Sequence, residues 1–405
     1  MKAHSTYKSS QVEWLDHIPE HWNEKRVKFV FEIRKRIAGK EGLPVLSITQ
    51  KGIKVKDIET GTGQLAMDYS DYQLVEVGDF AMNQMDLLTG FVDISSYAGV
   101  TSPDYRVFSL IDINCATRFL LYVFQHCYNN KIFFRFGHGS SHLGRWRLPT
   151  DEFNDFRLPI PPLPEQKAIA DFLDRKTAQI DTLIEKKQGE IELLREMRDV
   201  LTQTAMRSPK AKSLKLSEVA EQIKRPINRQ DEELYEPIGL YNRGRGIFHK
   251  PITKGMDLGD SDFFEIKAGD FVISGQFAWE GAVALAQQEE DGCIASHRYY
   301  SLRGKPDCSE TAYLFSFFTT QLGDKLLNHH SRGAAGRNRP LNINTLLREK
   351  IPVPPLSLQE PITALIEKEV VLKKNTQKLV DLLQEYRTAL ISEAVTGKID
   401  VRTAV

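Results

Sequence analysis

The 405-residue chain carries no net charge, because 54 basic side chains are matched by 54 acidic ones. A uniformly basic surface is excluded, although local charge can still match a phosphate backbone. Cysteine is scarce: Cys115, Cys127, Cys293 and Cys308 are too scattered for a zinc knuckle, and free thiols in a reducing compartment are expected. Long apolar runs are missing, and the stretch MKAHSTYKSSQVEWLDHIPEHW lacks the apolar core of a signal peptide. A soluble cytoplasmic protein with no membrane partner is therefore expected. Enzymatic signatures are missing as well. No stretch fits G-x-x-x-x-G-K-[ST], H-E-x-x-H or G-x-S-x-G in a strand-turn-helix context, so neither catalytic nor metal-ligating residues are assigned. Asp262, Glu265 and Lys267 in GDSDFFEIKAGD imitate the acidic group and lysine of a metal-dependent nuclease, but YSDYQLVEVGDF puts Val77 where the lysine is needed. His138 and His142 are spaced to share a metal only on a helix, and their glycine neighbours favour a loop.

What the chain does have is a repeat. LPIPPLPEQKAIADFLDRK begins at Leu158, and IPVPPLSLQEPITALIEKE begins 193 positions later at Ile351. Prolines restrict φ and lack an N–H donor, so both tracts read as stiff joints that end a globular region. A helical stripe follows each joint: Ile169, Leu173, Ile180, Leu183, Leu194, Met197 and Leu201 over about 165–206, then Leu365, Leu372, Leu379, Leu383, Tyr386 and Leu390 over about 359–395. LLREMRDVL and LLQEYRTAL align with a shift of 189, which makes the second helix four residues shorter. A lone apolar stripe faces water, so the two helices are expected to pack on each other, antiparallel, as a coiled coil.

The regions between also repeat. VEVGDFAMNQMDLLTG from Val75 answers to IKAGDFVISGQFAWEG from Ile266, each with a glycine-aspartate turn before a strand. PVLSITQKGI matches PIGLYNRGRGI in placement, and the apolar helix candidates TRFLLYVFQ and TAYLFSFFTT follow in the same order. The expected fold class is α+β: two similar mixed α/β domains joined and spaced by two long helices. The boundaries are 1–157, 158–208, 209–350 and 351–405.

Each globular region ends in a basic, glycine-containing loop, RFGHGSSHLGRWRLP with Arg135, Arg145 and Arg147, and HHSRGAAGRNRPLN with Arg332, Arg337 and Arg339. Small residues let a backbone approach, and arginine offers bidentate geometry to phosphate. Gln50, Lys51, Asn83 and Gln84 in the first copy, and Asn242, Arg243, Arg245, Gln276 and Trp279 in the second, are candidates for contacts in a DNA groove. The matched turns carry unlike residues, so two different half-sites are expected rather than a palindrome.

With these features together, the chain resembles the specificity subunit of a Type I restriction-modification enzyme. The resemblance covers nearly the whole length and rests on the two P-[IV]-P-P-L joints with their following glutamine, the long helices, the paired GDF domains, HIPEHW at His17 and LISEAVTGKIDV from Leu390. It implies two target recognition domains reading a bipartite, asymmetric site on double-stranded DNA. It also implies an antiparallel coiled coil that sets their distance, and helical regions that dock two modification (methyltransferase) subunits. Two restriction (translocase/endonuclease) subunits complete the implied assembly. No cofactor is expected on this chain; S-adenosylmethionine, ATP and Mg belong to the implied partners. Segment 1–20 is expected beside the distal helix. A stand-alone DNA-binding protein, a nuclease using Asp262, Glu265 and Lys267, and a purely structural assembly protein are the alternatives the sequence leaves open.

Overall fold

The computed structural model of the chain describes residues 2–58, 68–139, 146–333 and 339–403. It divides into two compact units, Met1–Ile184 with Leu379–Val405, and Glu185–Lys378. In the first, an antiparallel sheet has the strand order Phe31–Arg34, Arg106–Leu110, Phe80–Met82, Val92–Ile94. Side chains alternate across a strand, and the two faces meet different partners. Phe80, Met82 and Phe108 pack into a core with Phe119, Leu120, Val123 and Phe124 of the apolar helix Thr117–Asn129. Ala81 and Val107, one residue out of phase, pack with Leu46, Ile48 and Ile53 of the hairpin Leu46–Thr49/Gly52–Val55.

The second unit repeats this plan with other residues. Its sheet order is Ala220–Ile223, Tyr299–Gly304, Phe271–Ser274, Val283–Leu285. Phe271 and Ile273 face Tyr313, Leu314, Phe317 and Phe318 of the helix Thr311–Thr319, and Val272 faces Ile238 and Leu240 of the hairpin Ile238–Leu240/Ile247–His249.

The proline tracts enter the long helices from short ribbons. Arg157–Ile160 pairs with Asn23–Arg26, placing Pro159 opposite Glu24; Lys350–Val353 pairs with Lys212–Lys215, placing Pro352 opposite Ser213. A two-stranded ribbon consists of edges, where a residue without an N–H is tolerated. The proximal helix then runs Leu163–Met206 and the distal helix Leu356–Val395, 44 and 40 residues. The four-residue difference is the one expected from the alignment, and the lengths correspond to about 66 and 60 Å.

One glutamine fixes each entry. The Gln166 Oε1 accepts from the Ala116 N–H at 2.7 Å, while its Nε2 donates to the carbonyls of Asn114 at 3.1 Å and Pro161 at 2.8 Å. Gln359 reproduces the pattern with the Glu310 N–H at 2.8 Å and the carbonyls of Cys308 at 3.1 Å and Pro354 at 2.7 Å. Both side chains are fully buried. Ala116 and Glu310 precede the two apolar helices and have no capping side chain of their own. The long helix thus lends a polar group to the start of the short one.

Within the first unit, Asp181 pairs with Arg387 at 2.7 Å and Glu165 lies 3.9 Å from Arg402, so ascending positions on one long segment meet descending positions on the other. Leu390, Ile391, Ala394 and Val395 share a core with Ile169, Ala170, Phe172 and Leu173. Within the second unit, Arg195 and Arg198 both reach Glu369, at 2.8 and 2.7 Å, and Leu201 and Ala205 pack in the core that holds Ile362 and Ile366. Ile169, Leu173, Ile180 and Leu390 are buried, while Leu194, Leu201, Leu365, Leu372, Leu379 and Leu383 are half-buried. Leu183 is a correction: it is exposed, one residue out of phase with the buried row, which includes the polar Thr177, Arg198 and Thr202. A stripe drawn through apolar residues alone misses those positions.

The amino-terminal segment lies against the chain that follows the distal helix, with the Tyr7 hydroxyl donating to the Gly397 carbonyl at 3.1 Å and the Asp400 N–H to the Lys2 carbonyl at 2.8 Å. Among the described residues, no helix is long and apolar enough to cross a membrane.

Replacing Gln166 or Gln359 by Leu keeps the volume but removes the partner of one part-buried N–H and two carbonyls. A loss of about 2–4 kcal/mol is expected for the unit concerned. Urea unfolding of each variant checks it, and an unchanged midpoint in both refutes the role assigned to the glutamines.

Candidate nucleic-acid interface

The GDF turns set the geometry above each sheet. Gly78 and Gly269 have φ of 93° and 85°, a left-handed conformation in which a side chain is strained. The aspartate that follows is buried in both. Asp79 accepts from the Glu76 N–H at 2.8 Å, from the Ser109 hydroxyl at 2.6 Å and from the Arg36 guanidinium. Asp270 accepts from the Lys267 N–H at 3.0 Å, from Arg225 at 2.5 and 3.0 Å and from Arg303 at 2.6 Å. Burial pushes the Asp270 carboxyl upward, but the bonds from Arg225, the Lys267 amide and Arg303 outweigh it and hold the group below the ordinary carboxylate range. These aspartates anchor the turns and are not available to a ligand.

Three loops converge beyond each turn. In the second unit the tip of the 238–249 hairpin is bound to the turn after the GDF strand: the Arg243 N–H donates to the Glu280 carbonyl at 3.0 Å, the Gly244 N–H to the Gly281 carbonyl at 2.8 Å, and the Asn242 amide to the Glu280 carboxylate. The base of the basic loop joins them, with the Leu341 N–H donating to the Gly275 carbonyl at 2.7 Å. In the first unit the Gln50 amide donates to the Thr89 carbonyl at 3.3 Å, and the Leu148 N–H to the Gln84 carbonyl at 3.0 Å. Burial draws the Arg106 guanidinium down to about 10, still charged at neutral pH, and it donates to the Leu148 carbonyl at 3.1 Å while lying over the Phe153 ring. Each basic loop is closed at its base by a bridge, His138 with Arg147 and Ser331 with Leu341.

Most candidate residues found in the sequence are brought to these loops. Asn242, Arg243, Arg245 and Trp279 line one depression together with Glu280 and Asp324. Arg245 lies over Tyr241 at 5.6 Å and Arg339 over Trp279 at 5.0 Å, so two exposed guanidiniums are spread on aromatic faces. Gln276 is half-buried in the same turn as Trp279, and exposed Arg332 donates to the His329 carbonyl at 3.2 Å. In the first unit Gln50, Lys51, Arg135 and Arg147 are exposed and Asn83 is half-buried, its Oδ1 accepting from the Met85 N–H at 3.2 Å. Gln84 is a correction: its side chain is buried and donates to the Asp104 carbonyl at 3.0 Å, which makes it part of the scaffold. Arg145 and Arg337 lie outside the described residues.

Another outward surface holds Met197 and Tyr386, which corrects the seam expected from periodicity. Leu193, Met197 and Val200 are exposed at spacings of four and three on the proximal helix, which puts them on one face, and Leu382 and Tyr386 do the same on the distal helix. The other residues of the expected stripe, Leu183 apart, form the seam, whereas these point away from it. An apolar residue off the main stripe was the available signal.

A family model described as Type I restriction modification DNA specificity domain matches residues 19–193 and again 196–378. A structure described as showing complex assembly and conformational transition of the type I R-M system has 15% identity and a TM-score of 0.55, covering 94% of this chain and 99% of its own. The HsdS subunit from Thermoanaerobacter tengcongensis has 17% identity and a TM-score of 0.44, over 94% of this chain and 98% of its own. The S subunit of a Type-I restriction-modification system from M. genitalium has 12% identity and a TM-score of 0.46, over 96% and 98%. No curated protein matches the sequence. The double family match accounts for the repeat read from the sequence, and the chain belongs to the Type I restriction-modification DNA specificity family, as a specificity subunit.

Proposed function

We propose that each unit reads one half of a bipartite, asymmetric site on double-stranded DNA through its three convergent loops, as a target recognition domain. As a specificity subunit the chain is non-catalytic and recognises DNA for its complex. One observation carries the finer reading: two scaffolds of the same strand order present their hairpin tip, post-GDF turn and basic loop together, with unlike side chains at the tips. Exposed Arg135, Arg147, Arg332 and Arg339 suit phosphate contact, and Gln50, Lys51, Asn83, Asn242, Arg243, Arg245, Gln276 and Trp279 suit groove contact. Arg145 and Arg337 belong with the phosphate set on sequence grounds.

The domain plan is 1–157 and 209–350 as readers, with 158–208 and 351–405 as joint and helix. The two long helices act as an antiparallel coiled coil whose length sets the spacer between half-sites. Their outer faces dock two modification subunits, and two restriction subunits complete the assembly in the cytoplasm. S-adenosylmethionine, ATP and Mg are the partners' cofactors. Leu193, Met197 and Val200 are assigned to the docking face in place of the seam leucines, which apart from Leu183 are buried or half-buried.

Three outcomes test this. Arg147→Gln and Arg339→Gln are each expected to weaken DNA binding by the assembled complex several-fold and to reduce its salt slope by about one, without changing the preferred sequence. Fluorescence anisotropy over a salt series measures this, and an unchanged slope counts against phosphate contact. Adding one turn to both helices lengthens each by about 5–6 Å, somewhat under two base pairs. Methylation-site sequencing should then give a longer spacer with both half-sites unaltered; altered half-sites with a fixed spacer overturn the ruler. Val200→Asp combined with Met197→Asp should abolish co-purification with the modification subunit while circular dichroism stays unchanged. Retained assembly excludes that face.

A further inference from the structure

A second cluster of polar side chains lies in the first unit, remote in sequence from the loops above. His4 is buried, yet its Nδ1 has no hydrogen-bond partner. Its two ring nitrogens face two carboxylates just beyond bonding distance, Nε2 at 3.8 Å from Glu165 Oε1 and Nδ1 at 3.9 Å from Asp400 Oδ2. The exposed His21 brings its Nε2 to 2.7 Å from Glu165 Oε2, and the two imidazoles are 5.4 Å apart between centroids. The ligand atoms of His4, His21 and Glu165 all lie within 4.8 Å of one another.

We propose that His4, His21 and Glu165 bind a divalent transition-metal ion. The ion ties the amino-terminal segment to the first turn of the proximal helix. Two imidazoles and a carboxylate are a donor set for such ions, and bond lengths of about 2.0–2.1 Å at a tetrahedral centre put ligand atoms roughly 3.3 Å apart. These separations are to different oxygens, 3.8 Å from His4 Nε2 to Oε1 and 2.7 Å from His21 Nε2 to Oε2, so the carboxylate turns to bring one oxygen to the ion between the two rings. The Trp22 Nε1–H donates to Glu165 Oε1 at 3.0 Å and steadies the carboxylate. With the His4 Nε2 on the ion, Nδ1 carries its proton toward Asp400, the outer carboxylate that ligand histidines commonly use. Asp400 is held in turn by Arg402 at 2.7 and 2.8 Å. Arg402 also stands 3.9 Å from Glu165, and its charge weakens the site without occupying a ligand position.

A rival group, Glu236, His249 and Cys293 in the second unit, is less suited. Both His249 nitrogens already meet carboxylates, Glu236 at 2.8 Å and Glu290 at 3.3 Å, and burial pushes the Cys293 thiol up to about 11.

The test is a titration of the chelator-treated full-length chain with Co2+, followed by Zn2+ as competitor. Visible absorption and tryptophan fluorescence are the readouts. One equivalent of Co2+ is expected, quenching the Trp22 contribution, which Trp22→Phe identifies, and Zn2+ should displace it. His21→Asn and His4→Gln should each weaken binding at least tenfold, whereas His249→Asn leaves it unchanged. Zn2+ should raise the unfolding midpoint of wild type and not of His21→Asn, whose exposed side chain can be removed without a cavity. No bound equivalent, full affinity in His21→Asn, or loss only in His249→Asn overturns the proposal.

Discussion

A buried glutamine bridging two helices is the constraint on which each half of this molecule rests. The proline tract cannot supply a full set of N–H donors at the helix entry, and the apolar helix beside it begins without a capping side chain of its own. Gln166 and Gln359 answer both deficits at once, because an amide donates and accepts through one side chain. No apolar residue of similar size can do this. The arrangement ties the first turn of the long helix to the short helix that backs the sheet in the same unit.

Above that base the units diverge in how they secure the same turn. Asp79 relies on an arginine, a serine hydroxyl and a backbone amide, whereas Asp270 is clasped by two arginines and an amide. The electrostatic anchor is retained while the contacts around it have drifted, and the drift is greatest at the tips. Where the second unit has Trp279, over which Arg339 lies, the matched position of the first unit is Leu88. Fixed backbone and changing tips suit a reader whose alphabet must change without its fold changing.

Much of this was legible in the chain. The repeat gave the order of elements, the joint positions and the four-residue difference between helices, because periodicity and proline are local signals. What was not legible depended on neighbours distant in sequence. Gln84 and Asn83 look equally available in a turn, and only the fold shows that Gln84 is turned inward onto Asp104. Arg198 reads as surface charge until Glu369 is beside it, and Leu183 reads as seam until Thr177 and Arg198 are seen to keep the phase. The cluster of His4, His21 and Glu165 draws on segments separated by over 140 residues, so no local pattern announces it.

The bridges at the base of the basic loops have a consequence for inheritance. His138 with Arg147, and Ser331 with Leu341, join through the backbone; the first pair is exposed, whereas Leu341 is also held in the core. In the first unit the bridge holds whatever side chains the exposed His138 and Arg147 carry, because the bonds run between backbone groups. New vocabulary can be acquired at those two exposed positions while the grammar of the scaffold is left alone.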